Sequence, residues 1–347
     1  MTPRLETLRR EMPRHEGPLR FAVIGVGVWG QRHAATLRAI EHDSGTVRLV
    51  AIVDPDPERL DAQAQLLRIP AYRSVADLLA RETLDAACLC TPDPYHVEPA
   101  LACLSLRIHL LVEKPLATTV ADARRIADAA READAVVTVG HILRHVPQYR
   151  AAWDAVQTGR VGELTHVFAR RWSLVTSGRR IAGRATLAMF QAIHDLDIVR
   201  WLGGPVTRVH AEASSRLLAS FGVADTLVAT LRFAGGAVGA VESSWALPPE
   251  SPAALAQELD VLGTAGRVRF SLAGEGLEVA AAGRVETPYL SLLGATPQAL
   301  RAELLNFIGA IRDREPLVVT VDDGVEAVRL ADAVDRSLAS GAPVELP

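Results

Sequence analysis

Three glycines in Gly25-Val26-Gly27-Val28-Trp29-Gly30 are spaced as G-x-G-x-x-G, directly after the apolar run from Phe21 and at the head of a helical stretch. A turn this tight gathers backbone N–H groups at a helix N-terminus, which is a seat for phosphate. Gly25 permits the turn, Gly27 lets the backbone approach a pyrophosphate, and Gly30 lets the helix lie close to the strand. Val28 and Trp29 occupy the first helical turn and belong to the same cradle. Asp54 ends the second apolar run, 24 residues after Gly30. A carboxylate there accepts hydrogen bonds from both ribose hydroxyls and repels a 2′-phosphate. Pro55-Asp56-Pro57-Glu58 adds negative charge and no adjacent Arg. The expected ligand is therefore NAD, favoured over NADP.

Of the 37 basic residues, 36 are arginine and one is lysine, Lys114. Asparagine is likewise reduced to Asn306. A coding bias that turns surface Lys into Arg explains the pattern, and a Lys that persists under it marks a place where Arg does not substitute. The compact ammonium has a pKa that burial tunes, whereas guanidinium stays charged. Lys114 closes a strand-like run, Ile108 to Glu113, at the edge of a sheet where ligands bind in doubly wound folds. A Lys there can hydrogen-bond an alcohol oxygen and take its proton while hydride leaves the carbon. A surface Lys paired with a carboxylate is the plain alternative.

The elements that must position these groups alternate. Strand-like runs at Phe21–Gly25, Val47–Val53, Tyr72, Leu84–Cys90, Ile108–Glu113 and Ala135–Val139 are separated by helical stretches. That order indicates a parallel sheet with helices on both faces. After about residue 146 the texture changes: a helix at 147–158, a strand over Leu164–Trp172, a Gly- and Arg-rich loop at 176–184 and a helix at 187–202. Strands at 205–214, 223–233, 236–246, 257–263 and 266–271 follow without intervening helices, so the second unit is α+β with an open, mostly antiparallel sheet. Helices at 297–313 and 322–339 close the chain. The expected division is an N-terminal extension at 1–19, a cofactor domain at 20–145 and a second domain at 146–347, its last helices free to pack back on the first.

Length and composition agree, since 347 residues correspond to roughly two domains. Apolar residues are 49% and charged residues 22%, as in globular chains. A net charge of −4 gives no field for nucleic acid or a membrane surface. No apolar run approaches the ~20 residues of a bilayer crossing. The N-terminus, with Glu6, Glu11 and Glu16 among its arginines, does not read as a signal peptide. Cys88, Cys90 and Cys103 are too few for a disulfide scaffold and read as thiols in a reducing cytoplasm. The ten histidines show no metal-ligand spacing, and no G-x-S-x-G elbow appears.

Taken together, these residues resemble the Gfo/Idh/MocA oxidoreductases. The resemblance rests on Gly25–Gly30 with Asp54, on Thr91-Pro92-Asp93-Pro94-Tyr95-His96, and on Glu113-Lys114-Pro115, its most specific element. It continues through Gly140-His141-Ile142-Leu143-Arg144-His145-Val146-Pro147, His194-Asp195-Leu196-Asp197 before Trp201-Leu202-Gly203, and Gly263-Thr264-Ala265-Gly266. It covers nearly everything after residue 19. It implies an N-terminal Rossmann domain, a C-terminal α/β domain whose open sheet serves substrate recognition and oligomer contacts, and a homodimer or homotetramer. It also implies a nicotinamide cofactor that oxidises or reduces one hydroxyl of a sugar, inositol or related polyol.

The same resemblance assigns roles. Glu113 and Pro115 would shape the nicotinamide pocket, with Lys114–Pro115 a candidate cis peptide. Thr91 and Pro92 would pass under the cofactor, and Tyr95 and His96 would line its cleft, although His96 reads equally as a helix-start residue. His194 matches the His of the family's D-x-x-x-H motif, but the Asp position is Phe190, which neither accepts a proton nor binds a hydroxyl as a carboxylate does. Asp197 lies on His194's helical face, to orient it or to serve the domain junction. His141 and Arg144 are placed to reach substrate, Arg144 alternatively in an interdomain salt bridge. Trp172 packs beneath a sugar ring or in a core. Arg179, Arg180 and Arg184 read as a solvated basic loop or as an anion site. Phe190 leaves three functions open: an NAD-dependent dehydrogenase on a sugar, nucleotide sugar, glycoside or cyclitol; a silent NAD-binding sensor; and a glycoside-processing enzyme that retains its NAD.

Overall fold

The computed structural model describes residues 17–251, 255–271, 276–281, 284–286 and 295–347. Most of the expected N-terminal extension, residues 1–16, lies outside the described residues. The first sheet holds β1 (Leu19–Ile24), β2 (Val47–Val53), β3 (Ala71–Tyr72), β4 (Ala86–Leu89), β5 (His109–Val112) and β6 (Val137–Val139). All are parallel, in the order β3-β2-β1-β4-β5-β6. Their inner residues, such as Phe21, Val23, Ile52, Leu89 and Leu111, are fully buried, as a sheet covered on both faces requires. Helices α1 (Val28–Ser44), α2 (Pro57–Leu67), α3 (Val75–Arg81), α4 (Val97–Ser105) and α5 (Val120–Ala133) make the crossovers. The strand order reverses between β1 and β4, so the crevice above their carboxyl ends is the switch point where ligands bind. Gly25 follows one strand and Thr91 the other.

The chain then forms α6 (Pro147–Gln157), β7 (Leu164–Leu174), α7 (Val175–Ile181), a π-helical turn at Ala188–Ala192 and α8 (Ile193–Gly203). The expected loop at 176–184 is thus corrected: α7 occupies most of it, and Gly178 lies so close to Trp245 that an added Cβ would meet that side chain at 2.9 Å. A glycine chosen for packing reads, in sequence, like a glycine chosen for a turn. The second sheet adds β8 (Val206–Ser214), β9 (Thr226–Phe233), β10 (Val238–Leu247), β11 (Leu255–Gly263), β12 (Gly266–Ser271), β13 (Gly276–Ala281), β14 (Arg284–Glu286) and β15 (Val344–Glu345). It runs β14-β13-β12-β11-β7-β10-β9-β8-β15 and is antiparallel except where β7 pairs with β10.

Two helices tie the halves together. In α9 (Ala295–Arg312), Phe307 meets Phe21 edge-on at 6.0 Å. In α10 (Val321–Ser340), Gly324 sits against Val139 and Leu116, where a Cβ would meet Val139 at 2.5 Å. Thr138 donates to the Val319 carbonyl at 2.8 Å just before it. The last helices therefore pack back on the first sheet. No described helix is long and apolar enough to cross a membrane.

Candidate active site

The glycine loop is built as a cradle. Gly25 has φ +87°, and a Cβ there would meet the Cys90 carbonyl group and the Thr91 nitrogen at 2.8 Å. The loop after β1 and the turn after β4 therefore touch, and only glycine allows it. A Cβ on Gly30 would strike the Gly25 carbonyl oxygen, while Gly27, the N-cap of α1, has nothing within 4 Å of its would-be Cβ. The space a pyrophosphate needs is thus open above Gly27, with the exposed Val28 and half-buried Trp29 in the first turn. Arg32 lies 4.9 Å from the Trp29 ring. Asp54 is buried and accepts from the amides of Val26 at 2.9 Å and Asp56 at 3.0 Å. The open space, the helix end and the carboxylate fit NAD.

One expectation here is corrected. An arginine does stand beside Asp54: Arg59, in the first turn of α2, reaches back to both carboxylate oxygens at 3.2 Å. Arg59 directly follows Glu58, five positions after Asp54, and the helix start that Asp56 caps brings the pair together.

Around the turn after β4, Thr91 donates its hydroxyl to the Tyr95 carbonyl at 3.0 Å, and Tyr95 itself is exposed. His96 is buried between two carbonyls, Pro115 at 2.8 Å and Thr91 at 2.9 Å. It fastens the turn that carries Pro92 to the Lys114-Pro115 segment, which contains a cis peptide. Burial lowers its pKa despite those bonds. Glu113 is buried and held by His33 of α1 at 2.8 Å. Burial pushes this carboxyl up, but His33, Lys114 and His96 outweigh it and the net shift is downward.

Lys114 is half-buried, and its Nζ donates to the Phe190 carbonyl at 2.9 Å. The same ammonium lies 4.2 Å from the centre of the Phe190 ring, a cation–π distance. Burial lowers its pKa to about 8, Arg171 and Arg184 add to the lowering, and Glu113 and Asp93 oppose it. Phe190 lies in the π-helical turn, a widening often found at functional sites, which turns its carbonyl toward Lys114. Gln191 ties that turn to the second sheet, accepting from Ser173 at 2.5 Å and donating to Ser243 and the Ser244 carbonyl.

His194 follows at the start of α8. Its Nδ1 is buried with no hydrogen-bond partner among the described residues, as are both ring nitrogens of His141, whose Nδ1 lies 3.9 Å from Asp197 Oδ2. Burial pushes His194 well below its ordinary pKa, and the charges of Lys114, Arg171 and His141 push the same way. Burial also lowers His141. Lys114, His194 and His141 thus form one cluster of nitrogen bases. The carboxylates after His194 hold the helix. Asp195 takes a bidentate pair from Arg171 of β7 at 2.7 and 3.0 Å. Asp197 takes another from Arg144 at 2.9 and 2.5 Å, with Asp323 of α10 at 3.2 Å from the same guanidinium. One pair fixes α8 to the second sheet and the other to the segment after β6.

Three expected substrate contacts are accordingly corrected. Arg144 and Asp197 are 2% and 1% exposed and are spent on each other, so neither is free for substrate, and Asp197 does not reach His194 as its orienter. Trp172 points to the opposite face of the second sheet: Arg171 and Ser173 face α8, and alternation along β7 sends Trp172 the other way. There its indole donates to Glu242 at 2.9 Å and Arg170 stacks at 4.6 Å. Arg184 is not simply solvated, since its guanidinium pairs with Asp93 at 2.9 Å.

Sequence reasoning missed His33, Arg59, Asp93 and Gln191. His33 carried a signal, because Gly30, His33, Ala34, Leu37 and Ile40 form the buried face of α1. Among the described residues no group of three His, Cys, Asp or Glu side chains is placed to hold a metal ion.

Comparison with known proteins agrees with the fold. Residues 19–141 match the model of the GFO_IDH_MocA oxidoreductase family with its NAD-binding Rossmann fold, and residues 149–269 match the GFO/IDH/MocA C-terminal domain. The chain is 29% identical to myo-inositol 2-dehydrogenase of Thermotoga maritima, covering 94% of this chain and 98% of that one. It is 32% identical to inositol 2-dehydrogenase 2 of Paenarthrobacter aurescens, over 65% and 68%. The crystal structure of the WlbA dehydrogenase from Bordetella pertussis with NADH and UDP-GlcNAcA superposes with a TM-score of 0.83 at 25% identity, over 96% and 99%. The two family models together span most of the chain, and this chain belongs to the Gfo/Idh/MocA oxidoreductase family.

Proposed function

We propose that the protein is an NAD(H)-dependent dehydrogenase or ketoreductase acting on one ring hydroxyl of a sugar, nucleotide sugar, glycoside or cyclitol. One observation carries the reading: Lys114, with a pKa near 8, stands at the carboxyl edge of the first sheet within electrostatic reach of His194 and His141, whose buried ring nitrogens (Nδ1 of His194, both of His141) have no hydrogen-bond partner among the described residues. NAD, held by Gly25, Gly27, Val28, Trp29, Gly30 and Asp54, supplies hydride acceptance at the nicotinamide. Lys114 takes the hydroxyl proton as the carbon is oxidised and returns it in reduction. His194, neutral at physiological pH, accepts a hydrogen bond from the hydroxyl or relays its proton. His141 offers a second polar contact to the ring.

Phe190 favours a second reading, a catalytically silent NAD-binding sensor, because it removes a carboxylate and its carbonyl occupies Lys114. Lys114→Ala separates the two: an enzyme loses turnover and keeps NAD affinity, whereas a sensor loses little. The retained-cofactor enzyme is the third outcome, recognised by NAD that co-purifies and does not exchange.

We further assign homo-oligomer contacts to the outer face of the second sheet. Val228, Val238 and Leu262 are exposed there, with Phe168 and Trp172 between them. Scattered apolar groups on an open sheet are a surface a second copy can cover. We place the protein in the cytoplasm, in keeping with three free thiols.

A further inference from the structure

The carboxylate missing from the catalytic helix has a counterpart on the facing wall. Asp93 lies in the turn after β4 and is 5% exposed. Its Oδ1 pairs with Arg184, which comes from the segment between α7 and the π-helical turn, at 2.9 Å. Its Oδ2 is buried with no hydrogen-bond partner among the described residues. The Arg184 guanidinium lies 5.4 Å from the centre of the Phe190 ring, and the Lys114 ammonium lies 4.2 Å from the same centre. Phe190 is thus an apolar plate shared by two cations, and Asp93 answers one of them directly. Glu113 adjoins Lys114 in the chain, but His33 already holds it.

We propose that Asp93 and Arg184 form a charge couple that sets the protonation of Lys114 in place of the carboxylate absent at position 190. The proposal rests on reading Lys114 as the proton relay. Asp93 acts through Lys114 and is a positioning residue. The groups facing the Lys114 ammonium are Glu113 on its own turn, Asp93 after β4, His141 after β6, Arg171 on β7, Arg184, and His194 on α8. Of these, Asp93 and Glu113 favour the charged form, and Arg171 and Arg184 disfavour it. Arg184 and Asp93 therefore oppose each other at Lys114 while attracting each other.

That opposition yields a test that needs no substrate. Lys114 is the one lysine in the chain, so protein grown on lysine carrying nitrogen-15 at the side chain shows one ammonium signal. Its titration midpoint is followed in the full-length protein, with and without NAD. Asp93→Asn removes the anion and leaves Arg184 unopposed, so the midpoint should fall by roughly half a unit or more. Arg184→Gln removes the cation and frees Asp93, so it should rise by a similar amount. Arg184→Lys would add a second signal, which Lys114→Arg in the same background identifies, and it should hold the midpoint near the wild-type value. If Asp93 and Arg184 are only a structural clasp, both substitutions break the same pair, and the midpoint moves the same way in both or not at all. That result overturns the couple. Turnover retained by Lys114→Met overturns the relay reading instead, whichever way the midpoints move.

Discussion

The Lys114 ammonium donates to the backbone carbonyl of Phe190 at 2.9 Å and faces that residue's ring at 4.2 Å. Where the family motif carries an Asp, this chain therefore offers the lysine a neutral acceptor and an apolar plate. Neither matches a carboxylate in stabilising an ammonium against desolvation, so the pKa falls to about 8. A group poised there changes charge near neutral pH, as a proton relay must.

The pH profile follows with a definite sign. With Lys114 as the proposed proton relay, alcohol oxidation needs its neutral form, so kcat/KM for oxidation should rise with pH and level off above about 8. Ketone reduction needs the ammonium and should fall over the same range. Phe190→Asp places a carboxylate beside the ammonium and should move both limbs upward. Initial rates in both directions, measured across the range, check all three.

Cofactor choice turns on Asp54 and Arg59. Asp54→Ala removes the proposed ribose acceptor and releases Arg59, the kind of neighbour that accommodates a 2′-phosphate. The Kd for NADH should rise about tenfold while that for NADPH falls, a change of about 1.4 kcal/mol in each. Fluorescence titration with the reduced cofactors measures both.

The pinning of α8 is a stability matter. Arg171→Met leaves Asp195 buried and unpaired, which costs roughly 3–5 kcal/mol. Asp197→Leu does the same to Arg144, although Asp323 retains part of that pair. Both should lower Tm by several degrees, and the first should also displace His194. Thermal unfolding followed by tryptophan fluorescence reads the loss.

Glu303 in α9 is buried, and one of its carboxyl oxygens has no partner among the described residues. Burial pushes its pKa well above the ordinary value, and Glu113 adds to the push. The folded state then binds a proton that the unfolded state has lost, so stability falls as pH rises from the ordinary Glu pKa toward the folded one. Glu303→Gln removes that liability. Its Tm should match wild type in acid and exceed it by a few degrees at neutral and alkaline pH.

The parts of the site legible in sequence are those whose chemistry is local. The glycine spacing, Asp54, the lone lysine and the strand–helix alternation each declare themselves within a few residues. Partners fixed by folding do not. Arg144 and Asp197 stand 53 positions apart, and each reads alone as a substrate ligand. Trp172 misled because β7 alternates, and which face meets α8 is decided by Arg171 pairing with Asp195, 24 residues on. Arg59 directly follows Glu58 in sequence, and only the helix start turns it back onto Asp54. Asp93 reads as a turn residue until Arg184 is seen beside it.

The central claim is that this protein turns over on a ring hydroxyl through Lys114 although Phe190 stands in the motif. The direct measurement is NADH formation from NAD by the purified protein over inositols, free sugars, nucleotide sugars and aminoglycosides, with Lys114→Met alongside. Activity is expected on one of these classes, lowered about 10²–10⁴-fold in the variant at unchanged NAD affinity. Tight NAD binding without turnover on any class in either direction, or turnover that survives the substitution, would contradict it.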